Sequence, residues 1–193
     1  MKHLSLALIF SALVTPQAFA NDVKDISNPH TIFIGIGHGD VEFQYTLDGM
    51  SKKDDRTSEV EFSGYRYQFD ETWAIDARYM RGKPGFFTGL FHSSSKVSFH
   101  SRILSVQGLI PLSKRWSLYG NLGVNNYDWD IVTSSDNGQI ERQALQKENG
   151  TGLFAAAGVK VAWERVELTF DYQILKMGDL DTDVFTLAAG FKF

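Results

Sequence analysis

The segment Val184-Phe185-Thr186-Leu187-Ala188-Ala189-Gly190-Phe191-Lys192-Phe193 alternates without a break. Phe185, Leu187, Ala189, Phe191 and Phe193 fall on one side, and Thr186, Ala188, Gly190 and Lys192 on the other. Period two is the signature of an extended strand whose two faces meet different surroundings. A strand with one greasy face and one small or polar face, ending on an aromatic residue, suits a wall with lipid outside and a lumen inside. That feature constrains architecture, solvent and compartment together.

The other end of the chain agrees. Lys2 and His3 form a short positive start, Leu4 to Val14 is apolar, and Ala18-Phe19-Ala20 fits the small-x-small rule for cleavage before Asn21. Residues 1–20 are therefore expected to be an export signal and residues 21–193 one domain. The apolar run is too short to span a bilayer as a helix, which needs about 20 residues. No later stretch is long and apolar enough either, so a membrane form must be a closed barrel, in which every backbone group is paired. The mean hydropathy of −0.19 is compatible with that, because barrel strands are only half apolar. With 0 cysteines there is neither a disulfide framework nor a thiolate nucleophile or ligand. A formal net charge of −4 with no basic run argues against nucleic acid.

Further alternating segments fill the chain. Val166, Leu168, Phe170, Tyr172 and Ile174 share a face opposite Glu167, Thr169, Asp171 and Gln173. Leu153 to Trp163 repeats the pattern with Lys160 inward. Trp116 to Val124, Leu104 to Ile110, Trp73 to Tyr79 and Tyr65 to Phe69 follow, with Tyr119, Asn121, Asn125, Ser105, Gln107, Asp76, Arg78, Arg66 and Gln68 inward. Two places resist a phase. Val60 and Phe62 contradict the register of Tyr65, which suggests a bulge near Ser63-Gly64. The first strand, Thr31 to Tyr45, carries Gly35, Gly37 and Gly39 and shows no clean face. Tight connections at Asp70-Thr72, Pro111-Arg115 and Glu164-Arg165 alternate with longer ones at Thr46–Thr57, Gly82–Lys96, Asp130–Gly150 and Lys176–Asp183. The expected fold is an all-β, eight-stranded antiparallel transmembrane barrel with up-and-down order. Trp73 and Trp116 near tight turns, and Tyr127 and Trp129 near a long loop, are expected in interfacial girdles. A soluble eight-stranded barrel is the alternative, with apolar residues inside instead of outside.

At this point a family resemblance emerges. Leu109-Ile110-Pro111-Leu112-Ser113-Lys114-Arg115-Trp116-Ser117-Leu118-Tyr119-Gly120-Asn121-Leu122-Gly123-Val124 resembles the strand-turn-strand centre of the outer membrane protein A transmembrane domain. Phe62-Ser63-Gly64-Tyr65-Arg66-Tyr67 and Trp73-Ala74-Ile75-Asp76-Ala77-Arg78-Tyr79 resemble the second and third strands of the wider small-barrel family. The resemblance implies an outer-membrane location and carries no catalytic residue. The family's peptidoglycan-binding domain has no counterpart after Phe193, so cell-wall tethering is not expected.

Three constellations could carry function. The first is a lumen charge network of Glu42, Asp76, Glu167 and Asp171 against Arg66, Arg78, Lys160 and Lys192, with Arg102 joining only if its register switches. Buried charges must pair, and an eight-stranded barrel is narrow enough to be filled by side chains. Such a network either plugs the barrel or gates a narrow pore; the resemblance leaves the pore open, because charged pairs inside such barrels can act as gates. The second is His92-Ser93-Ser94-Ser95 with His100-Ser101, which invites a lipid-modifying hydrolase. The lipid A deacylases carry a His-x-Ser-Asn motif on a strand near the C-terminus, and the last two strands here hold neither His nor Ser. The third is Pro84 to Phe91, where Phe86, Phe87, Leu90 and Phe91 would form an apolar contact surface. Tyr172, Phe185, Leu187, Phe191 and Phe193 resemble the signal read by the barrel insertion machinery. No cofactor or metal site is expected. The expected role is structural and surface-interacting, with outer-membrane lipid, lipopolysaccharide and the insertion machinery as partners.

Overall fold

The computed structural model describes residues 28–47, 50–84, 95–133 and 143–193. Eight strands follow in chain order: β1 (His30–Leu47), β2 (Met50–Gln68), β3 (Trp73–Pro84), β4 (Ser95–Pro111), β5 (Trp116–Thr133), β6 (Gln143–Ala162), β7 (Val166–Met177) and β8 (Leu180–Lys192). Each pairs antiparallel with its neighbour, and β8 pairs with β1 to close the barrel. The seam is completed by His30 N–H donating to Phe193 O and Phe193 N–H donating to His30 O.

Side chains alternate as lipid demands. Ile32, Ile34, Ile36, Leu104, Leu122, Leu153, Phe170 and Leu187 are exposed on the outer wall, whereas Arg66, Asp76, Lys160 and Glu167 are buried within. This is the inside-out distribution of a membrane barrel and the reverse of a soluble one. The polar turns are held by their own side chains. Asp70 Oδ1 accepts from the N–H groups of Thr72 and Trp73, each at 2.7 Å. Ser113 Oγ accepts from Arg115 and Trp116 N–H at the next tight turn.

Three expectations need correction, and the open phase of the first strand is settled. The β1–β2 and β2–β3 registers run unbroken through Ser63-Gly64, so no bulge is present there. Val60 and Phe62 point inward with Arg66 because glycines opposite leave them room: a Cβ on Gly35 would lie 2.2 Å from Phe62 Cζ. In β1 the glycines, Phe33, Val41 and Phe43 take the inward phase, and Ile32, Ile34 and Ile36 the outward one. Tyr127 and Trp129 are buried in the interior and form no girdle, while Trp73 and Trp116 are exposed near the tight turns. Finally, β1, β2, β4, β5 and β6 run 17–20 residues, so much of the segments expected as loops is paired strand. Even Lys176–Asp183 turns at Gly178 and Asp179 alone, with Gly178 at φ +66°. About 9–11 residues cross a bilayer. Pairing continues past that length, where lipid no longer imposes the alternation.

Candidate functional site

The interior is built in two parts. Arg66 on β2 lies directly opposite Asp76 on β3 in the strand register. Its Nη2 and Nε donate to Asp76 Oδ2 at 3.0 and 3.3 Å, and its Nη1 reaches across the lumen to Glu167 Oε1 on β7. Lys160 Nζ lies 3.7 Å from Glu167 Oε2 and donates to Gln107 Oε1 at 3.1 Å. Arg78 Nη2 donates to the same Asp76 oxygen at 3.3 Å. The five charged groups therefore form one connected chain from Arg78 to Lys160. Desolvating so many charges is tolerable only because nearly every one touches an opposite charge.

Arg78 also sits in an aromatic cage. Its guanidinium carbon is 5.3, 5.0 and 5.2 Å from the ring centres of Phe33, Phe62 and Phe154. Cation–π attraction of this kind is worth about 2 kcal/mol or more where water is excluded. Its Nε and Nη1, Asp76 Oδ1 and both amide atoms of Asn121 are buried without a protein partner among the described residues. Such atoms are ordinarily met by ordered internal water.

Above the charges lies an apolar part. Val41, Val60, Met80, Phe99, Trp129, Phe154, Leu175, Met177, Leu180 and Val184 are each at most 1% exposed. They come from β1 to β8 and belong to one cluster. The indole of Trp129 donates from Nε1 to Met177 O at 2.9 Å, which fixes the ring across the top of β7.

The expected charge network is thus only partly brought together. Arg66, Asp76, Arg78, Lys160 and Glu167 meet. Asp171 is buried and inward, but its partners are neutral: Tyr119 Oη–H, Thr186 Oγ1–H at 2.5 Å and Gln173 Nε2–H at 2.7 Å. Lys192 shares the inward phase and is half-buried at the end of β8. Glu42 is a correction: it faces outward and is exposed, because Val41 and Phe43 hold the inward positions of β1. Arg102 is exposed on the outer wall, so its register does not switch. The Phe33–Phe62–Phe154 cage was hidden in the sequence, where aromatic residues at lumen positions look like a register error.

The remaining constellations fare differently. His92 to Ser94 and the cluster Phe86, Phe87, Leu90 and Phe91 lie outside the described residues. His100 faces outward with Nδ1 3.7 Å from Asp128 Oδ2, whereas Ser101 is fully buried on the opposite face. Neighbours along a strand point apart, so this pair does not form a base–nucleophile contact. Among the described residues no three metal-ligating side chains gather. Phe185 packs at 5.0 Å on Tyr172 and 6.1 Å on Phe170 on the outer wall, and Phe193 stacks at 5.6 Å on His30.

A family model described as the outer membrane protein beta-barrel domain matches residues 6–193. Among solved structures, the barrel is similar to Ail, the attachment invasion locus protein of Yersinia pestis. The two are 22% identical, with 87% of this chain and 100% of that one covered and a TM-score of 0.58. It is also similar to Neisserial surface protein A, at 14% identity, 86% and 97% coverage and a TM-score of 0.60. OprG from Pseudomonas aeruginosa follows at 15% identity, 89% and 99% coverage and a TM-score of 0.53. These likenesses are of fold. No curated protein sequence matches the chain. With its closed eight-stranded wall, lipid-facing apolar band and matched length, the chain belongs to the outer membrane protein β-barrel domain family and is a barrel of the bacterial outer membrane.

Proposed function

We propose that this barrel is a non-enzymatic protein closed to ion flow, whose work is done at its outer surface. The observation that carries this reading is the apolar cluster above the charged chain, in which side chains from every wall are almost fully buried. An ion passing it would have to shed its water against Met80, Phe99, Trp129 and Leu175, a desolvation that low-dielectric surroundings make prohibitive. The charges below it then pair to register the walls. Contact with the outside falls to the parts of β1, β2, β4, β5 and β6 that extend past the membrane, and to the loops between them. Phe86, Phe87, Leu90 and Phe91 are the first loop residues to test. The outer-wall residues Tyr172, Phe185, Leu187 and Phe191, with Phe193 at the seam, would serve the insertion machinery, and lipopolysaccharide is the expected lipid partner.

The test is single-channel recording of the refolded chain in a planar bilayer, wild type beside Arg78→Ala. Silence from both, with folding shown by the usual gel shift of unheated barrels, is the expected result. Reproducible current steps that change with Arg78→Ala would replace the reading with a narrow gated pore. An altered whole-cell lipid profile in His92→Ala or His100→Ala would instead revive the hydrolase.

A further inference from the structure

The outer wall is not evenly covered. Across β8, β1, β2 and β3 the register sets Ala189 beside Ile34, Ile34 beside Ser63, and Ser63 beside Tyr79, which in turn faces Arg102 on β4. One step down, Tyr65 faces Ala77. Small outward residues at 63, 77 and 189 therefore stand between large ones. They leave an open groove of about 890 Å³ lined by Ile34, Ser63, Tyr65, Ala77, Tyr79 and Arg102 among others. From Ala189 to Arg102 it crosses four strand spacings of about 4.8 Å each. Because barrel strands tilt by about 35–45°, a row running perpendicular to them climbs the wall. Its low end is near Val166, the first residue of β7 after a tight turn, and its high end is Arg102.

The chemistry of the two ends differs. The body of the groove is apolar and faces lipid. Arg102 stands where the apolar band stops: Leu104 below it is exposed, and His100 above it is polar and near Asp128. Its Nη1 donates to Asn126 Oδ1 at 3.4 Å, and among the described residues no carboxylate lies within ion-pair distance of it. The neighbouring Arg81 is by contrast already held by Glu61 through Nε at 2.8 Å and Nη2. An unneutralised guanidinium on the lipid-facing wall is costly unless it finds an anion at the interface. Guanidinium and phosphate match in geometry as well as charge.

Resting on the lipopolysaccharide partnership proposed above, we infer that this groove is a binding site for a phosphorylated glycolipid of the outer leaflet, of the lipid A class. One acyl chain lies over Ser63 and Ala77 between Ile34, Tyr65 and Tyr79, and a phosphate sits on Arg102. The site is independent of whether the lumen conducts. It makes Arg102 the residue that selects for a phosphate at the outer boundary, and it makes the small residues at 63 and 77 the determinants of acyl fit.

The experiment is native mass spectrometry of the refolded barrel released from detergent carrying purified lipid A, with phosphatidylglycerol of matched acyl length as the comparison probe. Wild type should retain a lipid A molecule and hold phosphatidylglycerol about tenfold more weakly, because the phosphate monoester of lipid A offers Arg102 nearly two charges and the phosphodiester only one. Arg102→Gln should lower lipid A retention about tenfold, the size expected for one charge-assisted contact. Ser63→Leu, which fills the groove without touching the charge, should lower it as well. Because both substitutions point away from the interior, the gel shift of the unheated barrel should be unchanged. Equal retention by wild type and Arg102→Gln, or equal retention of phosphatidylglycerol, would overturn the site.

Discussion

Arg66 and Glu167 lie 101 residues apart in the chain and meet inside the barrel, with Arg66 Nη1 donating to Glu167 Oε1. The contact joins the second strand to the seventh, so it can form only after the wall has closed. Arg66 also pairs with Asp76, which Arg78 contacts as well.

Removing the centre of that chain should be expensive. Arg66→Met leaves Asp76 with Arg78 alone and Glu167 with Lys160 alone, and breaking a buried pair this way costs about 3–5 kcal/mol. Asp171→Asn keeps the shape of a group whose donors are neutral, and should cost about 1–3 kcal/mol. Urea unfolding of the refolded variants in lipid vesicles, followed by tryptophan fluorescence, gives both numbers. Equal losses would mean that the charged chain adds nothing beyond ordinary buried hydrogen bonds.

A second expectation concerns the wall above Phe154. The β6–β7 ladder stops at Phe154 and Leu175, yet β7 continues to Met177. Asn125 Nδ2 reaches from β5 to Leu153 O at 3.0 Å and to Lys176 O at 3.3 Å. It can do so because Gly152 has no side chain: a Cβ there would lie 1.7 Å from Lys176 O. Gly152→Ala should therefore push β7 away and cost about 1–3 kcal/mol. The amide of Met177 or Gly178 should exchange with deuterium faster in the variant. Unchanged exchange would show that the glycine is dispensable.

The end of the chain offers a third. Phe193→Ala keeps both backbone bonds to His30 but loses the ring stack, which is worth about 0.5–1.5 kcal/mol. Refolded stability should fall by no more than that. If the ring is read by the insertion machinery, the amount of barrel assembled in cells should fall several-fold further. A loss in cells no greater than the loss in vitro would reduce Phe193 to a packing residue.

Much of this architecture was legible in one dimension. Lipid disfavours charged side chains at its centre, so the outward rows from Tyr65 onward had to alternate with the inward charges. The period exposed the inward positions of Arg66, Asp76, Arg78, Lys160, Glu167 and Asp171 without any contact being known. The lumen imposes no such rule. It accepts Phe62 as readily as Arg66 provided the opposite wall supplies Gly35 for the one and Asp76 for the other. For that reason the phase of β1, the outward turn of Glu42, the inward Tyr127 and Trp129, and the neutral partners of Asp171 were settled only by closure. The strand ends were equally hidden, because outside the membrane lipid no longer imposes a hydrophobic period while hydrogen bonding between strands continues. One-sided contact with lipid wrote the wall into the sequence, and only the packing of eight strands around a narrow interior decided what fills it.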